Sequence, residues 1–153
     1  MDRVRLQYLE ALGIQAWVSR EASAEGSRTG SGPGLRVGPG EGGCLFVCER
    51  AEQSGGRLAA DLARACREQP VWSWPAADED APDIGAAVRE RLFTTVIVFG
   101  EALAGELFEA SVPETVGSAR VVAAPDLDTL AADPAARRAC WSALRRAGVA
   151  GRR

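Results

Sequence analysis

Residues 94–99, Thr94-Thr95-Val96-Ile97-Val98-Phe99, form the clearest strand in the chain, and Gly100 turns the chain immediately after it. The short apolar run Val96–Phe99 within it, flanked by helical patterns, is what a buried strand looks like. Upstream, residues 84–93 (IGAAVRERLF) read as a helix; downstream, residues 101–108 (EALAGELF) read as a short one. The same rhythm repeats outward in both directions. Toward the N-terminus, residues 44–49 (CLFVCE) read as a strand and residues 55–69 (GGRLAADLARACREQ) as a helix with Leu58, Leu62, Ala65 and Cys66 on one face. Residues 71–74 (VWSW) then form a strand that Pro75 ends, and the acidic loop 76–83 (AADEDAPD) follows. Toward the C-terminus, residues 120–124 (RVVAA) form a strand closed by Pro125, and residues 126–133 start a helical turn. Asp133 is a good N-cap and Pro134 a good first residue for the last helix, which places Ala136, Cys140, Ala143 and Leu144 on one face. Short apolar strands separated by helices predict an α/β fold with right-handed crossovers. The expected form is a three-layer α/β/α arrangement around a mostly parallel sheet of about four strands.

Composition narrows the chemistry. The chain has 153 residues, 46% hydrophobic and 25% charged, the profile of a globular domain. It has no His, and all 18 of its basic residues are Arg. Without Lys there is no Walker A loop, Schiff base or Ser–Lys dyad; without His there is no Ser–His–Asp or Cys–His arrangement and no imidazole metal ligand. The formal net charge of −3 argues against strong direct nucleic-acid binding. The arginines at 137, 138, 145, 146, 152 and 153 suit the end of a helix and a solvated tail.

Cys44 and Cys48 lie four apart on one face of their strand, with Cα atoms roughly 13 Å apart, too far for a disulfide. With Cys66 and Cys140 they are expected to be free, mostly buried thiols, and no metal site is expected because paired Cys-x-x-Cys spacing is lacking. No apolar signal region follows Met1-Asp2-Arg3-Val4-Arg5, and no apolar stretch is long enough to span a bilayer, so a cytoplasmic location without membrane contact is expected.

The first 43 residues differ from the rest. Residues 1–20 predict a short amphipathic helix with Tyr8, Leu9 and Leu12 on one side and Gly13 at its end, followed by Ile14 and Trp17. Residues 21–43 hold eight Gly, three Ser and two Pro, and are expected to form a flexible linker. The division expected is therefore 1–20 as a partner-binding helical peptide, 21–43 as linker and 44–153 as an α/β domain. A helix of about ten residues is marginal alone in water, so this peptide needs either the body or a partner to cover it, and a long tether favours a partner.

In parallel sheets ligands bind at the C-terminal ends of strands. The residues expected there are Glu49 and Arg50, Asp78, Glu79, Asp80 and Asp83, Gly100 and Glu101, and Asp126. Such carboxylates suit Mg²⁺ or acid–base work, but Glu101 and Asp126 also stand where a helix start favours negative charge. Trp72 and Trp74 share a strand face and, with Trp141, are expected to pack structurally.

The N-terminal block with Leu12-Gly13-Ile14 and Trp17 resembles the psi subunit family of the bacterial DNA polymerase III holoenzyme. So does the C-terminal block of Val122-Ala123-Ala124-Pro125-Asp126-Leu127, Leu130, Asp133-Pro134, Ala136-Arg137 and Cys140-Trp141. Together the blocks cover about a third of the chain. The resemblance implies a non-catalytic connector in DNA replication, without cofactors. Its N-terminal peptide, here Leu9, Leu12, Gly13, Ile14 and Trp17, would dock on the collar of the clamp-loader ATPase subunits (gamma/tau). Its body would bind the chi subunit and, through it, single-stranded DNA-binding protein. The competing expectation is a small α/β hydrolase or nucleotide-handling enzyme that uses the strand-end carboxylates.

Overall fold

Side chains alternate across the strands and sort the apolar residues into two packed clusters. In the strand Thr95–Phe99, Val96 and Val98 enter one cluster and Ile97 and Phe99 the other, all four with at most 1% of their surface exposed. In the strand Cys44–Val47, Leu45 and Val47 join the first cluster, and Cys44 and Phe46 the second. A strand with no polar face is stable only where both faces are covered.

The computed structural model describes residues 32–109 and 111–151. Among them the chain is mixed α/β, with six strands in one sheet and six helices. The strands are β1 Leu35–Val37, β2 Cys44–Val47, β3 Val71–Pro75, β4 Thr95–Phe99, β5 Thr115–Val116 and β6 Ala119–Ala124. Their order across the sheet is β1-β3-β2-β4-β6-β5. The pairings of β3 with β2, β2 with β4, and β4 with β6 are parallel; β1 and β5 pair antiparallel at the two edges. The helices are α1 Ala51–Ser54, α2 Arg57–Ala65, α3 Ile84–Arg91, α4 Glu101–Phe108, α5 Leu127–Ala132 and α6 Pro134–Arg146.

The first cluster takes Ile84 and Val88 from α3, Leu103, Ala104 and Leu107 from α4, and Phe93. The second takes Leu127 and Leu130 from α5 and Cys140 and Leu144 from α6, with the half-buried Leu58 and Leu62 of α2 packed against it. At its centre three rings touch. Phe46 meets Trp72 edge-on at 5.1 Å and Phe99 at 5.2 Å, and Trp72 stacks on Phe99 at 5.9 Å. These are the arrangements that aromatic quadrupoles favour. Trp72 and Trp74 lie on the same face, as their spacing predicts.

Helix starts follow the expected chemistry. Asp126 caps α5, and Asp133 caps α6 with Pro134 in its first turn. Asp83 caps α3 by accepting from the Ala86 amide at 2.7 Å. All four cysteines are free and buried, and all four lie in the second cluster.

The sheet has six strands where about four were expected. The four expected strands are the parallel ones. β5 has two residues and α1 a single turn, too short to show a periodicity. The larger correction concerns the Gly-rich stretch expected to be linker through residue 43. Its second half belongs to the body, which begins no later than Gly32 instead of at Cys44. Leu35 is 1% exposed in the first cluster, and β1 pairs Leu35, Arg36 and Val37 with Pro75, Trp74 and Ser73. The Gly38 amide extends the ladder by donating to the Trp72 carbonyl at 2.8 Å. A side chain on Gly42 would run into the carbonyl oxygen of Gln69, so glycine there serves close backbone approach, not flexibility. Trp141 departs from the expected packing as well, with 40% of its surface exposed.

No helix among the described residues is long and apolar enough to cross a membrane.

Candidate functional site

Parallel pairing brings the C-terminal ends of β2, β4 and β6 to one edge, and the segments that follow carry the candidate acids. Glu49 and Arg50 follow β2. Their backbone amides both donate to the side-chain oxygen of Gln53 in α1, at 3.0 and 3.2 Å, which fixes the turn. Gly100 follows β4 with φ +114°, a conformation open to glycine and strained for other residues. Its amide donates to the Ala124 carbonyl at 2.9 Å, tying the end of β4 to the end of β6. A Cβ placed on Gly100 would lie 3.4 Å from the Asp126 Cβ and 3.5 Å from Glu49 Oε1. Glu49 and Asp126 therefore both approach Gly100, at the place where α/β sheets bind ligands.

Asp126, Glu101 and Asp128 at this edge hold structural positions. Asp126 accepts from the Thr129 amide at 2.8 Å, and the Thr129 hydroxyl donates to its other oxygen at 2.7 Å. Those two bonds, the amide first, hold the Asp126 carboxyl below its ordinary value of 3.8. A general acid needs the opposite shift, so Asp126 is built as an ionised cap. Glu101 stands in the first turn of α4, where the helix dipole favours it. Asp128 pairs with Arg50 at 3.4 Å on the open surface.

The acidic loop is engaged elsewhere. Asp78 pairs with Arg36 of β1 at 2.7 Å, and Asp83 caps α3. Among the described residues no group of three or more Cys, Asp or Glu is arranged to hold a metal ion.

The predicted peptide residues Leu9, Leu12, Gly13, Ile14 and Trp17 lie outside the described residues. The C-terminal block that carries the resemblance folds as one unit, β6–α5–α6. Leu127, Leu130 and Cys140 pack in the second cluster. Arg137 of α6 reaches back to α5, donating to the Leu130 carbonyl at 2.7 Å and the Ala131 carbonyl at 2.9 Å. Most of that block thus holds the body together. Trp141 is its one large apolar side chain left open, above a groove that the sequence reading missed. The signal was present: Trp141 sits at the border of the apolar stripe formed by Ala136, Cys140, Ala143 and Leu144, not within it.

The thiols are quiet. Burial pushes Cys44 up to about 12 and Cys48, Cys66 and Cys140 up to about 11, so none is a thiolate at neutral pH.

No protein-family model, curated protein or solved structure matches this chain.

Proposed function

We propose that the chain is a psi-like accessory subunit of the bacterial DNA polymerase III clamp loader, a connector without catalysis of its own. Residues 1–20 tether it to the clamp-loader ATPase subunits, and its body binds chi and so links single-stranded DNA-binding protein to the loader. We read the body as a three-layer α/β/α unit in the cytoplasm, with α3 and α4 over one face of the sheet and α2, α5 and α6 over the other. The observation that carries this reading is the occurrence, in order, of two blocks. The first is Leu9, Leu12, Gly13, Ile14 and Trp17; the second runs from Val122 to Cys140-Trp141.

The structure of the described residues is compatible with such a role. Asp83 and Asp126 serve as caps and Asp78 is held in a surface pair, which supports a connector over a carboxylate enzyme. Bivalent linkage raises the effective concentration of the second contact without new chemistry.

The test is capture of the purified clamp-loader ATPase assembly by the full-length chain, compared with its Trp17→Ala variant. Aromatic anchors of this kind cost about 2 kcal/mol or more on truncation, roughly a thirtyfold loss of affinity. Capture by the wild type and loss with Trp17→Ala is the expected result. A folded wild-type chain that captures nothing, or a variant that binds equally well, removes the assignment.

A further inference from the structure

We propose that the groove between α2 and α6 docks an acidic amphipathic segment of a partner protein. The groove has a volume of about 260 Å³; Leu58 and Leu62 of α2, Leu130 of α5, and Cys140 and Trp141 of α6 form its apolar wall, and Asp61 of α2 and Arg137 of α6 are its charged lining. Leu58 and Leu62 are only half-buried, and Trp141 is the one aromatic side chain among the exposed large apolar residues. A half-sunk tryptophan beside an apolar trough is the usual form of a binding anchor.

The charges around the groove identify the occupant. On the groove side helices α2 and α6 carry Arg57, Arg64, Arg137, Arg138 and Arg145 against one acid, Asp61, while Arg146 lines a separate cavity with Ala143 and Ala147. Asp61 is taken by Arg64 at 3.4 Å, and Arg137 is turned onto the α5 carbonyls. Arg57, Arg138 and Arg145 have no ion-pair partner among the described residues. On a chain whose net charge is −3, this is a local reversal of sign.

Along α6, Arg138 lies three residues before Trp141 and Arg145 four after, so both flank the anchor on the helix surface. An apolar trough rimmed by guanidinium groups fits a segment with apolar anchors on one side and carboxylates on the other. The chain's own residues 1–20 fit poorly, because Arg3, Arg5 and Arg20 outnumber Asp2 and Glu10 and the rim would repel them. The proposal does not depend on the psi-like reading and uses none of its tether residues.

The test is fluorescence anisotropy on the full-length chain with a labelled helical peptide carrying Leu and Trp on one face and Glu on the other. A second peptide has Lys in place of Glu. The acidic peptide is expected to bind and to weaken as salt rises, because exposed charges are screened over roughly 8 Å at physiological ionic strength. Trp141→Ala is expected to weaken it about tenfold or more. The double variant Arg138→Glu/Arg145→Glu keeps the tryptophan and should weaken it with unchanged circular dichroism; Leu92→Ala, remote from the groove, should bind as wild type.

Equal binding of both peptides overturns the proposal, as does acidic-peptide binding that neither set of groove substitutions alters. Sedimentation gives a further check. A wild-type dimer that binds no peptide and becomes monomeric with Trp141→Ala would assign the groove to a second copy and also overturn it. Capture of the clamp loader through Trp17 is read in a separate assay, so either idea can fail alone.

Discussion

The two faces of the sheet are built from the same strands yet differ in how they are closed. On the first face Leu45, Val47, Val96 and Val98 meet Leu103, Leu107, Ile84 and Phe93, each no more than 2% exposed. On the second face Phe46, Ile97 and Phe99 are as deeply buried, but more of the residues packed around them reach solvent. Leu58, Leu62, Trp72 and Trp74 are only partly covered, and Trp141 stands open. The second face also holds all four thiols and the arginine-rich helix α6. The first face is the more closed of the two, with Val37 and Phe108 its partly covered apolar residues. The second combines a buried core at β2 and β4 with partly open residues on β3, α2 and α6, and the proposed docking groove lies between those two helices.

The sharpest way to break this comparison is to measure both faces at depth. Leu107→Ala on the first face is expected to cost about 2–5 kcal/mol, and Phe46→Ala on the second about 3–5 kcal/mol, read as shifts in urea unfolding. Trp141→Ala, at the open layer of the second face, should cost under about 1 kcal/mol. If Phe46→Ala costs no more than Trp141→Ala, the second face is not packed at sheet level and the contrast between its layers disappears.

A second test separates the faces by pH. Buried thiols resist ionisation in the folded chain, with values of about 11 to 12, whereas unfolded thiols ionise near 9.0. The folded state therefore binds these protons more tightly. Its stability is full below pH 9.0 and falls as pH rises through 9.0 toward the folded values. All of this loss belongs to the second face. Urea midpoints measured from pH 8 to 10.5 should decline, and Ellman's reagent at pH 8 should label the native thiols slowly and the unfolded ones at once. Rapid native labelling would show that the second face opens easily.

The smallest effect lies at the edge where the strands end. Asp126→Ala removes the α5 cap and should cost about 1 kcal/mol near neutral pH. The folded carboxyl lies below its ordinary 3.8, so the contribution is present above that value and fades as pH falls through the folded one. The difference between wild type and variant in thermal melting should therefore shrink in acid. A difference that persists unchanged at low pH would mean that Asp126 acts by something other than its charge.

Much of the body was legible because its signals are local. β4 reads as a buried strand from Val96-Ile97-Val98-Phe99 alone, and α6 starts where Asp133-Pro134 says it should. The role of Asp126 as a cap followed from its place just after a strand and before Leu127. The edge strand β1 was hidden because its neighbours are glycines, and composition alone cannot distinguish a glycine that bends freely from one pressed against another backbone. Gly42 is of the second kind. At the candidate site Glu49 and Asp126, 77 residues apart in sequence, both lie beside Gly100, and no spacing rule reaches across that distance. The groove was missed for a related reason: Leu58 and Leu62 on one helix and Trp141 on another become a surface only when α2 and α6 lie side by side.

By itself the sequence determined the alternation of strand and helix, the parallel core strands, the caps, the free thiols and the catalytic chemistries closed by the lack of His and Lys. These follow from side-chain periodicity, from φ restrictions at Pro and Gly, and from the presence or absence of functional groups. The tertiary structure decided the order of the strands, the entry of Leu35–Val37 into the sheet, the approach of Glu49 and Asp126 to Gly100, and the exposure of Trp141. Those depend on which distant surfaces bury one another, and burial is a property of pairs of elements that neither member carries alone.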